Sequence, residues 1–463
     1  MILIVLLSFA STVWGEELRV GRAAVRITPE VGTPMGSSYG IAISEGIHDD
    51  LFAKAIVFER DGVKAALVAC DLISIRKAIV EDARRLIEAR TGLKGQHVIL
   101  SATHGHAGPQ MHPMFLRILG GEPEQKGLEY IRRLPEWIAE SVRKAEENLQ
   151  PARLSVGTIR EDAISFNRRF LMRDGSVRMN PGRQNAAAVR PVGPIDPIVS
   201  VANFEASESG ESLATMVNFA LHVAVVGGRQ ISADFPGVLS RRLAAVRGRE
   251  ALTVFTNGMS GNINHIDTSR QTQSTGQQEA ERIGTVLEAR VRQALRTLRP
   301  VSSAPLRVRS RRVELSVRPV RDEEVEEAKR LMSRVGSRSA PPFHDVVRAW
   351  RVIDLSEMAS GVLATEVQAL TLGDEVAFVG FPGDAFVELG LGIKSSSPFP
   401  FTVVGEQAGT GAISYVPNLK AFWEGGYEVI SARFLPGGGE RLVEAVQRLL
   451  IELYPHKPVA PVH

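Results

Sequence analysis

Between Leu18 and about Pro300 the chain alternates short apolar runs with longer stretches of helical spacing. Such alternation packs as an α/β protein, here with mixed β-sheets flanked by helices. Ala53 to Glu59 and Lys64 to Ile73 read as two strands joined by Arg60-Asp61-Gly62, a hairpin signal. Ala78 to Thr91 has Ile79, Ala83, Leu86 and Ile87 on one helical face. Val98 to Ala102 is a short buried strand, and helices are expected over Tyr130 to Leu149 and Gln277 to Leu298. Pro300 to Pro305 breaks the pattern, so a sub-boundary would fall near residue 300. Beyond it, Leu306 to Val317, Glu366 to Thr371 and Glu375 to Phe381 read as strands. Glu323 to Val335 reads as a charged surface helix, Ser337 to Pro342 as a loop and Gly437 to Tyr454 as a closing helix.

The first residues carry a different signal. Ile2 to Trp14 is apolar or small throughout and stops at Gly15, before Glu16-Glu17. It is too short to cross a bilayer, which takes roughly 20 apolar residues. It fits a signal peptide over residues 1–15, although its start lacks Lys or Arg. The expectation is export, secreted or periplasmic, of a mature domain over residues 16–463.

Charge and cysteine content remove other classes. The 55 basic and 52 acidic residues nearly cancel, and no block of like charge occurs, so no nucleic-acid partner is expected. The single cysteine, Cys70, lies in an apolar run. Neither an intrachain disulfide nor a cysteine metal cluster is available to it.

The densest chemistry is Ser101-Ala102-Thr103-His104-Gly105-His106-Ala107-Gly108-Pro109, directly after the Val98 strand. In an extended chain His104 and His106 share one face, and Gly105 keeps the backbone uncrowded. Strand ends are where α/β proteins place ligand sites, and neutral imidazole is a common zinc ligand. A catalytic zinc needs about three protein ligands and an open position. Polar residues stranded in apolar runs are candidates for the rest. His222 interrupts Met216 to Val226, and Asp384 ends Ala377 to Gly383. Asn262, His265 and Asp267 follow the strand Leu252 to Thr256. His265 and Asp267, with Asp234, are also candidates for a second metal site.

These segments resemble the catalytic domain of the neutral, non-lysosomal ceramidase family. Ser101 to Pro109 resembles its Ser-Ala-Thr-His-Thr-His-Ser-Gly-Pro signature. Val20 to Pro29 resembles its opening block, Asn167-Arg168 its Asn-Arg-Ser-Pro block and Phe219-Ala220-Leu221-His222 its Phe-Ala-x-His-Pro block. Phe381-Pro382-Gly383-Asp384, Tyr415-Val416-Pro417 and Gly426-Tyr427-Glu428 resemble three later blocks. The resemblance implies a zinc ion on His104, His222, Asp384 and Tyr415. It implies active-site roles for His106 and for Arg168, which would meet a substrate oxygen. The family's proposed nucleophilic serine, in Gly-Asp-x-Ser-Pro-Asn, falls on Asn264 here, and an amide is no nucleophile. The further β-sandwich domain of typical ceramidases is not expected in this chain.

The expected function is therefore an exported, zinc-dependent hydrolase of an amide or ester bond, using zinc-activated water. His106 or His265 would carry the proton and Arg168 would hold the oxyanion. The substrate would be a small molecule or lipid-like. Any membrane contact would be peripheral, since no strongly basic amphipathic helix occurs. Nothing in the sequence sets an oligomeric state. The alternatives are a true ceramidase with an altered nucleophile and a non-catalytic binding protein on the same scaffold.

Overall fold

The computed structural model describes residues 17–36, 42–302, 305–335, 337, 339–356, 358, 361–409 and 413–455. The expected signal peptide lies outside them. The architecture is α/β with mixed sheets flanked by helices, as the alternation predicts.

Eight strands build the main sheet: β1 (Arg19–Arg26), β2 (Phe52–Arg60), β3 (Val63–Cys70), β4 (Val98–Ala102), β5 (Gln150–Arg160), β6 (Ile198–Ala206), β7 (Ser212–Phe219) and β8 (Leu252–Asn257). Their order is β8-β7-β6-β5-β1-β2-β3-β4, and Arg299–Pro300 adds a short ninth strand on β5. The two end pairs, β3/β4 and β7/β8, are parallel, while the inner pairs are antiparallel. The sheet curls, so that β8 at one end touches β2, β3 and β4 at the other. The curl brings the exits of β4 and β7 together, and the site forms there.

Helices α1 (Lys77–Thr91), α2 (Pro113–Leu119) and α3 (Gly121–Glu147) serve the β4 half. Helices α4 (Asp234–Arg247) and α5 (Gly276–Leu295) serve the β8 half. Helix α3 begins at Gly121 rather than near Tyr130. Its first turns carry Glu122 and Glu124, which suit the positive end of a helix but lack the apolar spacing used to predict it. Strand β3 stops at Cys70 rather than Ile73. There the Asp71 carboxylate accepts the Phe52 N–H at 3.0 Å, and Leu72 folds back onto the Cys70 carbonyl.

A second, four-stranded sheet runs β9 (Leu306–Ser316), β10 (Val362–Leu372), β11 (Val376–Gly380) and β13 (Phe401–Gly405), with β11/β13 parallel. Between its last two strands lies β12 (Asp384–Ala385), which pairs with β14 (Tyr415–Val416). One apolar cluster joins both sides of residue 300, packing Ile56, Phe58 and Met216 with Leu370, Phe378 and Val403. Arg84 of α1 fastens the two sheets, donating to the Val98 carbonyl at 2.9 Å and to Gln368 at 2.7 Å.

Helices α6 (Asp322–Met332) and α7 (Phe343–Ser356) form a hairpin between β9 and β10. They pack Ala328, Met332, Val346 and Trp350 against Phe115 of α2. Helix α7 comes directly after the Ser337 to Pro342 loop, in a stretch where no element is expected from the sequence. A closing helix, α8 (Gly438–Leu453), covers the second sheet. Among the described residues no helix is long and apolar enough to cross a membrane.

Candidate metal centre

His104, His106 and His222 converge. Their three Nε2 atoms stand 3.2, 3.2 and 3.3 Å apart. They reach this point differently from the extended-chain expectation. His104 follows β4 but has φ of 67°, in the left-handed region, so the chain turns between the two signature histidines. Gly105 is not needed for space, since a Cβ there would meet only the Thr103 hydroxyl at 3.6 Å. His222 sits beyond the end of β7 rather than within a strand.

The tautomers are set from behind. His104 Nδ1 lies 2.8 Å from the Ile73 carbonyl, so it carries the proton and donates. His222 Nδ1 lies 3.4 Å from the Ser260 carbonyl and does the same. Both rings therefore aim bare Nε2 lone pairs at one point. Burial pushes the His222 imidazole well below its usual value, which keeps that nitrogen unprotonated.

Asp384 adds a carboxylate. Its Oδ2 is 3.3 Å from His104 Nε2 and 3.9 Å from His222 Nδ1. Both of its oxygens are buried without a hydrogen-bond partner. Burial alone would raise this carboxyl, but the adjoining His104 and His222 rings and the Arg168 guanidinium outweigh it and hold it below the usual range. The Pro-Gly turn before it is required. Gly383 has φ of 74°, and a Cβ there would lie 2.5 Å from the Ser414 carbonyl.

These donors suit zinc. Four ligands about 2.0–2.1 Å from a tetrahedral centre stand roughly 3.3–3.4 Å from one another. Observed separations of 3.2 and 3.3 Å among the three nitrogens match that spacing, and Asp384 lies beside them, 3.3 Å from His104 and 3.9 Å from His222. Bare lone pairs facing a buried, unpartnered carboxylate would otherwise be costly. Among the described residues this is the one group of three His, Cys, Asp or Glu side chains close enough to share an ion.

The centre opens on a cavity of about 650 Å³. His104, His106, Asp384 and Tyr415 lie in its wall, with Ile73, Met111, Phe115 and Trp350 as apolar lining. His112, Asp354 and Arg433 add a polar patch, where Arg433 pairs with Asp354 at 2.6 Å and covers the Trp350 ring. Three lining residues, His104, Gln407 and Ser414, hold left-handed backbone without being glycine. Such strain gathers at functional sites.

The other expected residues are placed as follows. Tyr415 pairs with Asp384 in register, and its hydroxyl accepts from Arg168 Nη2 at 3.1 Å. Burial pushes that phenol above its usual range. Arg168 is not in the cavity wall. It stands behind Tyr415, spent on Glu428 at 3.0 Å and the Gly261 carbonyl at 2.6 Å as well. From there it supports Tyr415. His106 joins the nitrogen triangle.

His265 is not brought to the site. The charges acting on it are Glu279, Arg282 and Arg183, none of which lines the cavity. Among the described residues no second metal site assembles around it. Asp234 accepts the backbone N–H groups of Val225, Val226 and Phe235, while Asp267 is taken by Ser269 and Arg270. Asn264, at the serine position, donates to Asn180 at 2.8 Å and accepts the Ile266 N–H. Ser260, the nearest serine, is fully buried and donates its hydroxyl to Glu406 at 2.7 Å.

The loop that carries His265 depends on Glu279, which accepts from Gln273 at 2.7 Å, Arg282 at 2.6 Å and Ser274. Burial opposes its ionisation, but these donors win and hold it at about 2. A folded value below the unfolded one gives stability that is present above the unfolded pKa and lost as pH falls towards about 2. Urea midpoints at pH 7 and pH 3 are therefore expected to fall less in Glu279→Gln than in the wild type. Equal falls would remove Glu279 from the acid limb.

The sequence pattern of the family described as neutral/alkaline non-lysosomal ceramidase, N-terminal, matches residues 19–280. No curated protein matches the chain. Among solved structures, a ceramidase complexed with C2 superimposes with a TM-score of 0.74 at 20% identity, over 96% of this chain and 77% of that one. The neutral ceramidase from Pseudomonas aeruginosa gives 0.72 at 21% identity, over 96% and 76%.

Proposed function

Because this chain belongs to the neutral/alkaline non-lysosomal ceramidase family, we propose that it is a zinc-dependent hydrolase of an amide bond, with His104, His106 and His222 holding the ion, the Asp384 carboxylate beside them and one position left open. The observation that carries this reading is the convergence of three imidazole Nε2 atoms, 3.2 and 3.3 Å apart, beside a buried carboxylate. Zinc bound there would supply a Lewis acid that polarises a carbonyl and lowers the pKa of water towards about 7.

The remaining residues divide the other tasks. Tyr415 keeps its proton and offers it to a substrate oxygen, while the Arg168 guanidinium donates to the same phenol and makes it the stronger donor. Ile73, Met111, Phe115 and Trp350 receive the apolar part of the substrate and keep bulk water from it. Neither Asn264 nor Ser260 offers a nucleophile, and attack is assigned to a water molecule. The cavity lies within the range for one drug-sized or lipid-like molecule. We place the reaction outside the cytoplasm, on the evidence of the apolar segment at residues 2–14.

The test is a panel of a fluorescent ceramide, an N-acyl amide and an ester of equal chain length, run with and without chelator. Turnover of at least one amide, abolished by chelator and restored by zinc, is expected. Zinc-loaded, folded protein that turns over none of them would leave the non-catalytic binding reading in its place.

A further inference from the structure

We propose that Glu406 is a positioning residue that fixes the His222 and Asp384 segments relative to each other, with Ser260 as its intermediary. The inference rests on the metal-centre reading above.

Glu406 follows β13 directly and is fully buried. Its Oε2 accepts the backbone N–H of Ala385 at 2.9 Å and that of Ser260 at 3.1 Å. Its Oε1 accepts the Ser260 hydroxyl at 2.7 Å. Ala385 is the residue after Asp384. The Ser260 carbonyl, in turn, accepts the Nδ1 proton of His222 at 3.4 Å. One carboxylate thus grips the backbone beside one donor and the backbone that sets the tautomer of another. Asn257 closes the assembly. It donates to the Ser260 hydroxyl oxygen at 3.1 Å, and its own amide oxygen accepts the Leu221 N–H, next to His222, at 3.3 Å.

The two segments meet without slack. The Gly261 N–H donates to the Ala385 carbonyl at 2.7 Å, and a Cβ on Gly261 would lie 2.5 Å from the Asp384 carbonyl. Hydrogen bonds behind the ligands are what orient a metal site, and removing one typically costs 10–100-fold in affinity.

The experiment measures zinc affinity by chelator competition in Glu406→Ala, Glu406→Gln and Leu287→Ala, the last a core truncation in α5. It also reads the His222 side-chain nitrogens by NMR in metal-free protein. Glu406→Ala is expected to bind zinc about 10–100-fold more weakly and to lose the His222 Nδ1–H signal. Glu406→Gln, which keeps one acceptor oxygen and the volume, should fall between it and the wild type. Leu287→Ala should bind as the wild type does. Unchanged affinity in Glu406→Ala, or an equal loss in Leu287→Ala, would overturn the assignment. If Glu406→Ala does not fold, Glu406→Gln carries the comparison, and wild-type affinity there overturns it. Wild-type protein that binds no zinc would sink the metal reading. The His222 signal then decides Glu406 alone, and an unaltered signal in its variants overturns it.

Discussion

Replacing His222 by alanine is expected to lower kcat/KM for the amide substrate about a thousandfold or more and to strip the protein of zinc. The ring is buried, its Nε2 is 3.2 Å from both partner nitrogens, and no other described His, Cys, Asp or Glu can take its place. A bound metal contributes several kcal/mol of transition-state stabilisation, and each 1.4 kcal/mol is about tenfold in rate. The fold should survive, because His222 lies beyond β7 and its one backbone tie is the long contact to Ser260. A melting curve close to the wild type, together with lost turnover and lost metal, is the expected pattern. Activity within about tenfold of the wild type would remove His222 from the centre.

Glu428→Ala is expected to produce the largest stability loss, about 3–5 kcal/mol, read from denaturant midpoints. Glu428 is fully buried and holds two arginines, Arg168 at 3.0 Å and Arg169 at 2.7 Å. Arg169 is itself among the largest fully buried side chains, with Glu424 as its other carboxylate partner at 3.1 Å. Breaking such a pair leaves charge in a low-dielectric interior, which costs far more than the pair contributes. Arg168 would also lose its anchor while still donating to Tyr415, so turnover should fall with stability. Glu428→Met combined with Arg169→Met should recover part of the loss. A single-variant loss under about 1 kcal/mol would contradict the account of this cluster.

What was legible in the sequence follows from what is local. Val98 to Ala102 reads as a strand from its apolar run and is one to the residue. Asp384 and His222 stand out because a polar side chain closing an apolar run needs a partner. The same signal sits at Glu406, after Phe401 to Gly405, and would have found it. Other features depend on distant chain. His106 enters the triangle because His104 adopts φ of 67°, which no spacing rule foretells. Arg168 reads as a substrate contact until the fold puts Tyr415 in front of it. His265 looks equivalent to His104 as a polar residue at a strand end, yet its loop turns towards Glu279. Helix α7, which supplies Trp350 and Asp354 to the cavity, follows a proline loop and gave no separate signal.

His104, His106 and His222, with Asp384 beside them, are arranged to hold one metal ion. Elemental analysis of the purified full chain, after equilibration with zinc and removal of unbound metal, tests it most directly. About one zinc per chain is expected in the wild type and almost none in the His104→Ala, His222→Ala double variant. A metal-free wild type, or a double variant that keeps its zinc, would contradict it.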